Sequence, residues 1–179
     1  MHTPILIAFG ANIAPETNLA QGIARLHALA GVRAISTVYR TRALADPERP
    51  ETDPQPDFLN GALRLAGAWD PWELRTLLKS LEQELGRNHQ APGWRPRPLD
   101  LDIALMGSLR LETPILTIPD PDIPNRSFLA LPLAELAPKL IHPVLGRSLT
   151  ALSTGFAAPE ETMRPDPQAT ARLRAILPL

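Results

Sequence analysis

A length of 179 residues, at roughly 100–200 residues per domain, allows one compact core, and the 44% apolar and 21% charged fractions are those of a globular chain. The net charge of −1 lacks the broad basic footprint of sequence-independent nucleic-acid binding, and the absence of cysteine excludes a disulfide frame, a thiolate nucleophile and a Cys-ligated metal, so a reducing cytosol is the expected home. The opening MHTPILIAFGAN has no charged leader, and no run approaches the ~18 apolar residues of a spanning helix, so neither export nor a membrane partner is expected.

The run Pro4–Gly10 (PILIAFG) is apolar and β-rich, and reads as a buried first strand. From Pro15, Leu19, Ile23, Leu26 and Leu29 recur at steps of three and four until Gly31, which predicts a helix. Strands are expected at Val32–Thr41 and Phe58–Leu65, where β-branched and alternating residues collect. The proline-rich stretch between them has no periodicity and is expected to be a loop covering a substrate. Asp70-Pro71 is an N-cap followed by proline at the first helical position, and Leu74, Leu77, Leu78, Leu81 and Leu85 form one stripe that stops at Gly86.

A second loop, Arg87 to Pro98, precedes a strand at Leu99–Met106, and a short helix is expected at Leu129–Leu136. The order β-α-β-β-α-β predicts an α+β fold of ferredoxin-like, split βαβ type, with helices on one face of a mainly antiparallel sheet. Residues 1–154 form the expected domain. Residues 155–179, rich in Ala and Pro, are expected to be a surface tail with a short helix at Ala169–Leu177.

Chemistry concentrates in Trp94-Arg95-Pro96-Arg97-Pro98-Leu99-Asp100-Leu101-Asp102-Ile103. Alternation along a strand sends Asp100 and Asp102 to one face while Leu101 and Ile103 enter the core. Alone, such a pair is most often the charged outer face of an edge strand. With Arg87, Arg95 and Arg97 close by, it equally suits a hard divalent cation next to phosphate groups. No P-loop, dinucleotide fingerprint or G-x-S-x-G occurs, so any nucleotide is bound by another solution. Aromatics are only 4% of the chain. Phe58 and Phe128 are either core filler or a sandwich for a flat heterocycle, and Asn60, two residues past Phe58, is either a structural Asn or a reader of that heterocycle's edge.

The segments Gly10-Ala11-Asn12, Tyr39-Arg40-Thr41, Gln55-Pro56-Asp57-Phe58-Leu59-Asn60, Gly86-Arg87, Trp94, Pro96-Arg97-x-x-Asp100-Leu101-Asp102-Ile103 and Asn125-Arg126-Ser127-Phe128 resemble the 6-hydroxymethyl-7,8-dihydropterin pyrophosphokinases of folate biosynthesis. The resemblance covers roughly residues 4–152. It implies transfer of pyrophosphate from ATP to the pterin, with AMP as the second product, in a cytoplasmic monomer whose partners are small molecules. It further implies two Mg²⁺ ions held by Asp100 and Asp102, with Arg87 and Arg97 as catalytic cations. Pterin contacts would come from Thr41, Leu44, Phe58, Asn60 and Phe128, and ATP contacts from Arg87, Trp94, Arg97, Asp120 and Arg126. Three positions depart from the family pattern: Asp120 replaces a His, Arg95 a Gly, and His89 a loop Arg. The charge at Asp120 calls for an offsetting cation, and Arg95 is the residue expected to supply it. A diverged paralogue acting on another pterin, or a pterin-binding module with weak transfer, are the alternative readings.

Overall fold

The computed structural model describes residues 4–43, 55–88, 95–156 and 163–178. Strand β1 (Ile5–Ala11) leads into α1 (Pro15–Ala30), which ends where Gly31 turns left-handed at φ 68° and returns its N–H to the His27 carbonyl. Strands β2 (Val32–Ile35), β3 (Tyr39–Thr41) and β4 (Phe58–Leu65) follow, then α2 (Pro71–Glu84), whose Asp70 cap accepts from the N–H groups of Trp72 and Glu73. After β5 (Asp100–Met106) come the small hairpin β6 (Leu111–Glu112) and β7 (Thr117–Ile118), and helices α3 (Ser127–Leu136) and α4 (Leu149–Ser153). The last elements are β8 (Met163–Pro165) and α5 (Pro167–Arg174).

All strand pairs in the main sheet are antiparallel, in the order β5-β1-β4-β3-β8, with β2 also on β4. The strand expected over Val32–Thr41 is therefore two. Side-chain hydroxyls take over the ladder at the break: Ser36 Oγ accepts from Ala62 N at 2.9 Å and Thr170 Oγ1 from Val38 N at 2.9 Å.

Helices occupy both faces, which corrects the expectation of one. Ile5, Ile7 and Phe9 meet α1, α2 and α5 in one core cluster, while Leu6 and Ala8 meet Leu129 and Leu133 of α3 and Leu149 and Leu152 of α4 in another. The cause is legible in β1 itself. Its seven residues are all buried, as in a strand covered on two sides, where an alternating pattern would mark a strand covered on one.

The C-terminal segment also differs from the surface tail expected. Strand β8 pairs with β3, and Met163, Ala169 and Leu173 are buried. The helix there begins at Pro167, because Asp166 caps it through the Ala169 N–H at 2.9 Å. Among the described residues no helix is long and apolar enough to cross a membrane.

Candidate active site

Helix α3 covers only part of its face of the sheet. Beyond it, the pairings Asn60–Gly10 and Gly10–Asp100 form one row across β4, β1 and β5, and Ala62–Ala8–Asp102 the next. Large side chains stand at the sides of this floor, and only Gly and Ala occupy its middle. Asn12, buried at the end of β1, fixes the loops above: its Oδ1 accepts from Arg97 N at 2.7 Å, and its Nδ2 donates to the Pro56 carbonyl at 3.2 Å.

Asp100 and Asp102 do share a face, but their surroundings differ. Asp100 is clasped by two guanidiniums, Arg87 on one carboxylate oxygen and Arg97 on the other, the latter at 2.5 Å. Burial would raise its pKa; the charges of Arg87 and Arg97 outweigh that and hold it below the usual carboxylate range. Burial pushes the Asp102 carboxyl up, and the Asp100 charge adds to this against the pull of Lys79. Because 52% of the Asp102 side chain is open to water, we assign the rise chiefly to Asp100.

Lys79 and Glu82, both on α2, are site residues the sequence reading missed. Strand β5 is a sheet edge, and Leu101 turns its backbone outward there. Glu82 Oε1 accepts from Leu101 N at 2.7 Å, and Lys79 Nζ donates to Leu101 O at 3.0 Å, so one pair of side chains satisfies both edge groups. The same ammonium donates to Glu82 Oε1 at 2.7 Å and Asp102 Oδ1 at 2.9 Å. Glu82 is fully buried, with Arg87 Nε 3.4 Å from its Oε2. One signal was available: position 82 falls inside the stripe of Leu78, Leu81 and Leu85, where a carboxylate needs a reason.

Carboxylate oxygens of Glu82, Asp100 and Asp102 lie within 4.8 Å of one another. This all-oxygen donor set suits a hard divalent cation, with the exposed Asp102 as its open side. A cavity of about 290 Å³ adjoins the acids, lined by Arg75, Lys79, Asp102, Ile115, Thr117 and Asp120 among others.

Of the expected pterin residues, Thr41, Phe58 and Asn60 come together at the other end of the floor, on the paired strands β3 and β4. Asn60 Nδ2 donates to Thr41 Oγ1 at 2.7 Å, and Phe58, half-buried, lies under the Arg97 guanidinium, 5.9 Å from its ring centroid. Phe128, in the first turn of α3, is half-buried against the second cluster. The Arg126 side chain makes no hydrogen bond or ion pair among the described residues. Leu44, His89 and Trp94 lie outside the described residues, as does most of the expected covering loop. Asp120 departs from expectation. Its Oδ1 accepts from Asp122 N at 2.8 Å, burial and nearby Asp102 raise its pKa, and no arginine among the described residues touches it, so the pairing with Arg95 is not formed.

A carboxylate pair among cations, with the half-buried Phe58 ring under Arg97, makes a candidate site for a small molecule that carries anionic and planar groups. Residues 6–138 match the family described as 7,8-dihydro-6-hydroxymethylpterin-pyrophosphokinase (HPPK). The chain is 38% identical over 150 residues to the 2-amino-4-hydroxy-6-hydroxymethyldihydropteridine pyrophosphokinase of Synechocystis sp., covering 82% of this chain and 73% of that one. It is 39% identical over 139 residues to the protein of that name from Bacillus subtilis, covering 76% and 79%. The crystal structure of Plasmodium falciparum HPPK-DHPS wild type with pteroate superposes with a TM-score of 0.63 at 12% identity, over 92% of this chain and 48% of that one. That likeness is one of fold, and the chain spans about half the length of the solved structures it matches. The chain belongs to the HPPK family.

Proposed function

We propose that the protein transfers the β,γ-pyrophosphoryl group of ATP to the hydroxymethyl oxygen of 6-hydroxymethyl-7,8-dihydropterin, releasing AMP, in folate biosynthesis. The observation that carries this reading is the row Asn60–Gly10–Asp100, which joins a planar-group end and an acid-cation end on one strip of sheet. Family membership supports the same activity.

In this reading Phe58 and Phe128 hold the flat pterin, and Asn60, oriented by Thr41, meets its hydrogen-bonding edge, with Leu44 on the loop beyond. Arg87 and Arg97 are spent only in part on Asp100, since a guanidinium carries five N–H donors, and the remainder face the triphosphate with Arg126. Trp94 and Asp120 complete the ATP side. Asp100 and Asp102 would hold two Mg²⁺ ions, which would supply neutralisation of the phosphate charge. The hydroxymethyl oxygen bonds the β-phosphorus as the α,β-bridging P–O bond breaks, a reaction that asks the protein chiefly for alignment and exclusion of water.

The strand order β5-β1-β4-β3 supports assignment to the ferredoxin-like class. Every assigned residue lies within 1–154 of a single chain, in keeping with a monomer whose residues 155–179 are a structural addition. The test is an assay for AMP with purified protein, MgATP and the pterin. AMP that depends on hydroxymethyldihydropterin supports the assignment; AMP only with another pterin, or pterin binding without AMP, overturns it.

A further inference from the structure

The chain contains two lysines, Lys79 and Lys139, among 18 basic residues. Lys79 has an environment unlike an ordinary surface cation. Its three N–H donors meet three acceptors: Glu82 Oε1 at 2.7 Å, Asp102 Oδ1 at 2.9 Å and Leu101 O at 3.0 Å. Two of these are fixed, because Glu82 is fully buried and Leu101 O belongs to the sheet edge. The third, Asp102, is the half-exposed one and belongs to the carboxylate cluster suited to a divalent cation.

The ammonium therefore sits where it neutralises Asp102 in the absence of any other cation. It also lines the cavity that Asp102 and Asp120 line, into which no other lysine projects. A divalent cation on Asp102 competes with the ammonium for the same carboxylate charge. Losing Asp102 frees one N–H while two hydrogen bonds keep Nζ in place, so an ammonium that already lines the cavity has a donor to give without the side chain having to travel. A lysine suits this task better than an arginine, since its compact charge on a tetrahedral nitrogen can give up one partner and keep the others.

We propose that Lys79 is a built-in counter-ion of Asp102, displaced from that carboxylate by the incoming divalent cation and thereby made available as a donor to a phosphate group in the adjoining cavity. This inference rests on the metal role assigned to Asp102 above, and it adds a residue and an order of events to it. It also gives the acidic wall at Asp120 a neighbouring cation in the place where Arg95 fails to provide one.

The test reads binding and needs no turnover. Mn²⁺ affinity, followed by water-proton relaxation without nucleotide, should be roughly tenfold tighter in Lys79→Gln than in wild type, because a unit positive charge next to the ion has been removed and a hydrogen-bonding amide kept. Lys79→Arg, which keeps the charge, should stay within about twofold of wild type. Inorganic tripolyphosphate with Mg²⁺ should bind several-fold more weakly to Lys79→Gln, the opposite direction, which a variant merely loosened in structure does not produce. Should Lys79→Gln fold poorly, the wild-type protein still decides the matter: with ¹⁵N-lysine it has two ammonium signals, and Mg²⁺ should shift that of Lys79 and leave that of Lys139 in place. Equal or weaker Mn²⁺ affinity in Lys79→Gln, unchanged tripolyphosphate binding, or a Lys79 signal indifferent to Mg²⁺ overturns the proposal. Asp102→Asn separates the two ideas: if it binds Mn²⁺ like wild type, the metal assignment itself fails; if it loses Mn²⁺ while Lys79→Gln matches wild type, only the counter-ion fails.

Discussion

Gly10 and Asn60 face each other across β1 and β4, and a methyl group on Gly10 would lie 2.4 Å from Asn60 Oδ1. The missing side chain is the space in which the Asn60 amide rests while it donates to Thr41. Gly10→Ala is expected to push that amide off Thr41 and weaken pterin binding by about tenfold, with a stability loss of about 1–3 kcal/mol from overpacking. Calorimetric titration with the pterin, alongside a urea melt, checks both, and unchanged pterin affinity would remove Asn60 from the site.

The two aspartates should separate under mutation. Asp100→Ala leaves Arg87 and Arg97 facing each other without their shared carboxylate, and should lower stability by about 1–3 kcal/mol as well as turnover. Asp102→Ala, at a half-exposed position, should abolish most turnover for about 1 kcal/mol or less. Denaturant midpoints and AMP release on both variants give the comparison. The alternation in D-x-D predicts the shared face but says nothing of which acid is enclosed.

Phe128→Ala is expected to weaken pterin binding by about 1–3 kcal/mol, the scale of losing one ring from a stack, and to leave nucleotide affinity nearly unchanged. Isothermal calorimetry with each ligand separates the two. Equal loss of both, or a large drop in melting temperature, would mark the ring as part of the core that α3 builds.

Glu82→Ala removes the acceptor of the Leu101 N–H together with one buried partner each of Lys79 and Arg87. A loss of about 3–5 kcal/mol is expected, as for other buried ion pairs broken on one side. Amide exchange at Leu101 should quicken together with the fall in stability, and a variant that retained slow exchange there would show that the edge is held by something else.

Asp166 carries a pH prediction. The Ala169 N–H first, and Arg40 at 2.8 Å, hold its carboxyl below the usual carboxylate range. A folded pKa below the unfolded one means that its contribution is complete above the unfolded value of about 3.9 and is lost as pH falls through the lower folded value. Asp166→Ala should therefore cost about 1–2 kcal/mol at pH 7, the worth of an N-cap and its ion pair, and the gap from wild type should narrow below pH ~4. Urea melts of both proteins at pH 7 and pH 3 test it, and a constant gap would refute the assignment.

The elements that were legible in the sequence are those whose signal is local. The leucine stripe and Asp70-Pro71 start of α2, the Gly31 stop of α1, and the alternation from Asp100 to Ile103 each encode their own geometry within a few residues. What escaped depends on distant chain. Lys79 and Glu82 acquire their role only when α2 docks on the β5 edge, and Met163–Pro165, three residues with a proline, has no alternation to read until β3 supplies a partner. The two covered faces were announced by the unbroken apolarity of β1, a pattern whose meaning lies in its lack of alternation.

The pairing of β8 with β3 joins residues about 120 positions apart, and it closes an edge that nothing earlier among the described residues covers. During synthesis, Tyr39–Thr41 consequently stands with one row of backbone groups open until Met163–Pro165 has been made. A nascent or C-terminally clipped chain thus presents a ready template for strand exchange with a second copy, and the closing strand guards against self-association as much as it adds to the sheet.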